Sequence, residues 1–120
     1  MITEDFVSFE TAKLLKEKGF PQNTSHYYEG KNLWRHYHDE VLPKTEIFAA
    51  PTHQMAMKWL REEHNRFIEI CTDKAHNFKD IIFRPAIYNK ELYCLWESDN
   101  FPTYENACEA TIKYCLENLI

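Results

Sequence analysis

Glycine is nearly absent from this chain. Gly19 and Gly30 are the only two among 120 residues. That scarcity excludes long flexible linkers and any glycine-rich loop able to cradle a phosphate. Long apolar runs are also missing: none exceeds five residues, far short of the roughly 20 needed to span a bilayer as a helix. The opening Met1-Ile2-Thr3-Glu4-Asp5 has neither a basic run nor an apolar stretch, so no signal peptide is expected. Basic charge is scarce as well. Residues 1–60 carry 7 basic and 8 acidic side chains and residues 61–120 carry 7 and 11, which together give the net charge of −5. A nucleic-acid binder draws much of its affinity from a basic face, so a nucleic-acid partner is disfavoured. No two of Cys71, Cys94, Cys108 and Cys115 form a Cys-x-x-Cys pair. Cys108 and Cys115 sit seven apart in a predicted helix, about 10.5 Å along its axis, too far for a disulfide. Free thiols buried as small apolar residues are expected, in keeping with a reducing cytoplasm.

What is present is core material. The apolar fraction is 44%, and 3 Trp, 7 Tyr and 8 Phe make 18 aromatic residues. A chain of this length folds as one domain without metal or disulfide, so residues 1–120 are read as a single globular domain.

Helix signals are clear in three places. Ser8 can cap a helix over Phe9–Lys18 that Gly19 and Pro21 end, with Ala12 and Leu15 inward. Thr52 can cap a second from His53 to His64, stopped by Asn65. Its apolar arc reads Met55, Ala56, Trp59 and Leu60. Thr103 can cap a third from Tyr104 to about Leu119, with Ala107, Cys108, Thr111, Ile112, Cys115 and Leu119 inward. Glu105, Glu109, Lys113 and Glu117 then form an outward ladder, with Glu109 and Lys113 in the favourable i,i+4 order.

Three strands are expected at Arg66–Thr72, Ile81–Tyr88 and Glu91–Glu97, with Asn89-Lys90 closing a tight hairpin between the last two. Pro85 cannot donate to a ladder, which predicts a bulge or a sheet-edge position. Leu92, Cys94 and Trp96 would line one face of the third strand and Tyr93 and Leu95 the other, implying a sheet covered on both sides or one face kept for a partner. Residues 22–50 are least legible. Tyr27-Tyr28 and Leu33–His38 have strand composition around a Glu29-Gly30-Lys31-Asn32 turn, where a hairpin competes with irregular structure. Pro43 and Pro51 bracket a short Ile47-Phe48 segment. The resulting class is α+β: three helices with a mostly antiparallel sheet, in the order helix, hairpin, helix, three-stranded meander, helix.

Pro51-Thr52-His53-Gln54-Met55-Ala56-Met57-Lys58-Trp59-Leu60-Arg61-Glu62 resembles a Pro-Thr-x-x-x-Ala-x-x-Trp-Leu-Arg-Glu segment of small proteins from gut Bacteroidetes and their phages or prophages. Tyr104–Ile112 is similar to the Tyr-Glu-x-Ala-x-x-Ala-x-Ile helix that ends those proteins, and Phe9–Phe20 to their opening Ala-x-x-Leu-x-x-x-Gly-Phe helix. The resemblance spans most of the chain and implies a mobile-element origin; no activity comes with it. Each matched residue also has a structural role as cap, core face or helix stop.

Chemistry-bearing candidates are few. His36 and His38 would share one face of a strand, where His26 or Asp39 could complete a metal shell; exposed polar histidines are the simpler reading. His53 and His64 lie about 16 Å apart along their helix, too far for one ion, and read as terminal polar residues. Cys71 and Cys94 are thiol candidates that need a nearby base. Lys13, Lys16 and Lys18 could touch phosphates, but Glu10 and Glu17 interrupt them and no second helix follows a short turn. Tyr27, Tyr28, Trp34, Arg35, His36, Tyr37 and His38, together with Trp96, form the candidate interaction surface, since aromatic residues and Arg are what interfaces favour. The composition therefore points to a non-enzymatic module that binds a protein or itself, with no cofactor, no metal and no membrane partner expected. A DNA-associated phage regulator and a small metal- or thiol-dependent enzyme are the competing readings.

Overall fold

A hydroxyl starts each of the three described helices. Ser8 caps α1 (Phe9–Glu17), Thr52 caps α2 (His53–His64) and Thr103 caps α3 (Tyr104–Asn118), each oxygen accepting from the backbone amide three residues on. This fills one of the donors that a helix start leaves unpaired. The computed structural model describes residues 2–35 and 46–120. At the far end of α1, Gly19 takes φ +94 and Phe20 donates back to the Leu15 carbonyl at 2.9 Å. The buried Phe20 ring meets Trp59 edge-on, which ties the end of α1 to α2. Asn65 ends α2 in the left-handed conformation, φ 53, which Asn tolerates better than most residues.

Among the described residues the strands divide into two three-stranded antiparallel sheets rather than one. β1 (Tyr27–Glu29), β2 (Asn32–Trp34) and β3 (Ile47–Ala49) run in the order β2-β1-β3. The hairpin therefore forms about Gly30-Lys31, and Ile47-Phe48 adds a third strand to it. β4 (Phe67–Lys74), β5 (Ile81–Tyr88) and β6 (Cys94–Glu97) form the expected meander. Helix α3 lies at the centre, touching α1, α2, β4 and β5, while α1 carries β3. Val7, Leu15, Leu60, Ile87, Ile112 and Leu116 are fully buried in the shared core. Among the described residues no helix is long and apolar enough to cross a membrane.

Several expectations change. Pro85 lies in the central strand, opposite Ile70. Its carbonyl accepts from Ser98, just past the end of β6, and the next contact along is an isolated Phe83–Phe101 bridge. Its missing donor thus faces a gap in the ladder. The register shift falls instead at Ile87/Tyr88, where Ile87 pairs with Trp96 and Tyr88 with Cys94. The unpaired Leu95 joins Trp96 against the core, so these neighbours do not alternate between faces. The turn before β6 is longer than Asn89-Lys90. Asn89 Oδ1 accepts from the Glu91 and Tyr93 amides, and Leu92, rather than Asn89, takes positive φ at 66. Leu92 and Tyr93 are consequently exposed loop residues, not strand faces. In α2 the buried stripe is His53, Ala56, Met57 and Leu60, and Met55 faces solvent.

The covered face of the meander carries Ile68, Ile70, Ile87, Leu95 and Trp96, all in or against the core. The other face carries Glu69, Cys71, Asp73, Arg84, Cys94 and Glu97, all exposed. Cys71 and Cys94 are therefore not buried thiols; only Cys108 and Cys115 are.

Candidate functional site

The densest polar cluster lies where the starts of α1 and α2 meet α3. Its centre is Glu109, placed by the sequence pattern on the outward ladder of α3. The carboxylate instead points inward. Oε1 accepts from the Ser8 amide at 2.9 Å and pairs with His53 Nε2 at 2.9 Å. Oε2 accepts from Ser8 Oγ at 2.8 Å and from Thr11 Oγ1. Lys113 turns away from Glu109 and pairs with Glu10 at 3.0 Å. Burial alone would raise the Glu109 carboxyl, but the hydrogen bonds from His53, Thr11 and Ser8 outweigh it and hold the group at about 2. An ionised carboxylate only accepts, so His53 presents Nε2–H to it. The positive end of α1 adds to the same field. His53, expected as a terminal polar residue, is buried inside this network.

The residue types suggest a Ser–His–acid relay, yet the order is wrong for one. In such a relay the imidazole stands between acid and hydroxyl and takes the nucleophile's proton. Here the acid stands in the middle: Ser8 and His53 each bond to Glu109, and Ser8 Oγ also caps α1 by accepting from the Thr11 amide. Four donors fixed on one carboxylate join three helices. The arrangement is a clamp.

A groove of about 610 Å³ runs over the uncovered face of the meander between Cys71, Asp73, Arg84, Tyr88, Glu97 and Asp99. Arg84 pairs with Asp73 at 3.3 Å. Cys71 Sγ donates to Glu69 Oε1 at 2.8 Å, and that bond, with some desolvation, pushes the thiol above its ordinary range. A nucleophilic cysteine needs the opposite shift. Burial pushes Cys108 and Cys115 up to about 11. Native protein treated with a maleimide is therefore expected to take up label at Cys71 and Cys94 only, and all four cysteines after unfolding, as read by intact mass. Labelling of Cys108 or Cys115 at native rates would contradict their burial.

The sequence-selected surface is brought together only in part. Tyr28 is half-buried: its ring meets Phe9 edge-on and its hydroxyl donates to the Val7 carbonyl at 2.7 Å. Tyr27 is half-buried too. Trp96 sits on the other sheet, stacked on Tyr114 at 4.5 Å. Trp34 is 55% exposed on β2, with Leu33 and Arg35 exposed beside it. His36, Tyr37, His38 and Asp39 lie outside the described residues. Among the described residues no group of three or more His, Cys, Asp or Glu side chains could hold a metal ion. The α1 lysines have local partners: Lys16 bonds to Glu46 and the Ile47 carbonyl, and Lys18 to the Ile120 main-chain oxygen.

No family model, curated protein or solved structure matches this chain.

Proposed function

We propose that the chain is a non-enzymatic protein-binding or self-associating module of mobile-element origin, working in a reducing cytoplasm. The observation that carries this reading is the outer edge of the small sheet. Among the described residues β2 pairs with β1 alone, and all three residues of β2 are exposed. Edge strands present unpaired N–H and C=O groups that can template another strand, and proteins commonly blunt them with charge or proline. Here the edge carries Leu33 and Trp34, followed by Arg35. Trp and Arg are favoured anchors at interfaces. The Glu109 clamp supports the same reading, because its polar groups are engaged in holding helices. The mobile-element origin rests on the resemblance of the Pro51–Glu62, Tyr104–Ile112 and Phe9–Phe20 segments. The free thiols of Cys71 and Cys94 fit a reducing compartment.

The test is capture from the native or phage-infected host with wild-type and Trp34→Ala baits. The variant should keep its folding stability within the small range of a surface change, about 0.5 kcal/mol. It should lose its partner by roughly 30-fold, the scale of a hot-spot anchor. A partner set indifferent to Trp34 would overturn the role of this edge.

A further inference from the structure

The β4–β5 hairpin ends in a turn built to hold one aromatic ring in water. The Ala75 amide donates to the Asp80 carbonyl at 2.8 Å, and the Phe78 amide to the Ala75 carbonyl at 2.9 Å. Asn77 Oδ1 accepts from the Lys79 and Asp80 amides, and Asn77 Nδ2 donates to Asp80 Oδ2 at 2.8 Å. Within this network Phe78 takes φ 58 and stands 78% exposed. A bulky side chain in the left-handed region is strained, where Asn or Gly would not be. The tip thus carries an apolar ring in a costly conformation, with no burial in this chain to offset it.

A receptor of matching character lies elsewhere on the molecule. A groove of about 370 Å³ opens between the turn after α1 and the outer side of α2. Phe20, Pro21, Met55 and Trp59 line it, with Glu62 and Glu63 at its rim. Met55 is 49% exposed there. The rim also holds Lys58, 4.0 Å from Glu62, and the two offset each other, so Glu63 leaves the rim one net negative charge. At the tip Arg84 offsets Asp73 at 3.3 Å, and Lys74 and Lys79 outnumber the remaining acid, Asp80, by one charge. A basic, aromatic tip and an acidic, aromatic groove are complementary in both charge and apolar character.

The tip stands away from the groove of its own chain. Eight consecutive pairs from Phe67↔Tyr88 to Lys74↔Ile81 carry the hairpin outward, and β4 follows the end of α2 directly. The tip therefore stands about 25 Å of strand away from that end, on a molecule 53 Å long and 20 Å thick.

We infer that this chain self-associates head to tail, Phe78 of one copy entering the Phe20–Met55–Trp59 groove of the next. The inference rests on the reading of the chain as a binding or self-associating module and narrows it to a second copy at a second surface. Such a contact is heterologous, so it builds chains or rings rather than a two-fold dimer.

Sedimentation velocity of the purified protein over a wide concentration range tests it. Weight-average mass should rise with concentration and fall back with added salt. Phe78→Asn should weaken association at least about 30-fold while leaving the thermal midpoint unchanged or higher, since Asn relieves the turn. A tip variant with Lys74→Glu and Lys79→Glu, and a groove variant with Glu62→Lys and Glu63→Lys, should each associate more weakly alone and regain association when mixed. A monomer at every concentration would overturn the inference while leaving the β2 edge to its own capture test. Association that survives Phe78→Asn, or charge variants that do not rescue each other, would overturn it as well.

Discussion

Glu109→Ala is expected to cost about 3 kcal/mol of folding stability, the scale for removing one member of a buried charged network. The substitution deletes more than one contact. It strips the acceptor from the Ser8 amide, the Ser8 and Thr11 hydroxyls and His53 Nε2 together. Thr11 and His53 are buried and have little water to turn to. For a domain of this size the thermal midpoint should fall by roughly 10–15 °C. Glu117→Ala, two turns on and exposed, should cost about 0.5 kcal/mol or less. Similar losses at the two positions would contradict the clamp.

The same carboxylate gives a pH signature. It titrates at about 2 in the folded protein against 4.5 for the unperturbed group. As pH falls, the unfolded chain takes up this proton first, so unfolding is favoured progressively through that window. The contribution is complete above 4.5 and lost as pH drops toward 2, on the order of 3 kcal/mol in all. Glu109→Gln should be less stable near neutrality and much flatter in acid. Urea midpoints measured at about pH 6 and about pH 3 read both effects. A wild type and a Gln variant with equal acid sensitivity would remove Glu109 as its source.

Ile87→Ala carries the second large effect, again about 3 kcal/mol. Ile87 is fully buried, pairs with Ile68 on one side and Trp96 on the other, and belongs to the core shared with α3. A truncated side chain there leaves a cavity between the meander and the helices that neighbours fill only in part. Ile87→Val should cost about 1 kcal/mol. Ile81→Ala, on the same strand but 59% exposed, should cost far less. Equal denaturation midpoints for the Ile81 and Ile87 alanine variants would contradict this placement of the core.

The fold class and helix limits were legible because local chemistry states them: hydroxyl caps, Gly19, Asn65 and a long apolar stripe. The clamp was hidden by one omission. Leu116 is fully buried, and Glu109 precedes it by seven residues, about 20° away on the helix surface. An arc that includes Leu116 brings Glu109 inward with it. His53 was hidden similarly, since the buried stripe of α2 runs through Ala56 and Met57 rather than Met55. Counting Leu92 and Tyr93 as strand residues made the meander look apolar on both faces. In the fold they sit in a loop set by the Asn89 side chain, which leaves Cys71 and Cys94 on an open face. Trp34 and Arg35 of the proposed edge stood out in the sequence as neighbouring aromatic and Arg residues, but Phe78 gave no signal because a left-handed aromatic breaks the usual turn preferences.

The central claim is that this protein works through exposed sheet elements while its polar cluster holds the helices together. Backbone hydrogen exchange, compared between dilute protein and the associated or partner-bound state, tests that claim most directly. Protection should be gained at residues 32–34, at the 74–81 hairpin tip or at the groove beside Trp59, with residues 103–109 and 52–54 unchanged. Protection gained only around His53 and Glu109, with the edge strand, tip and groove unaffected, would contradict it.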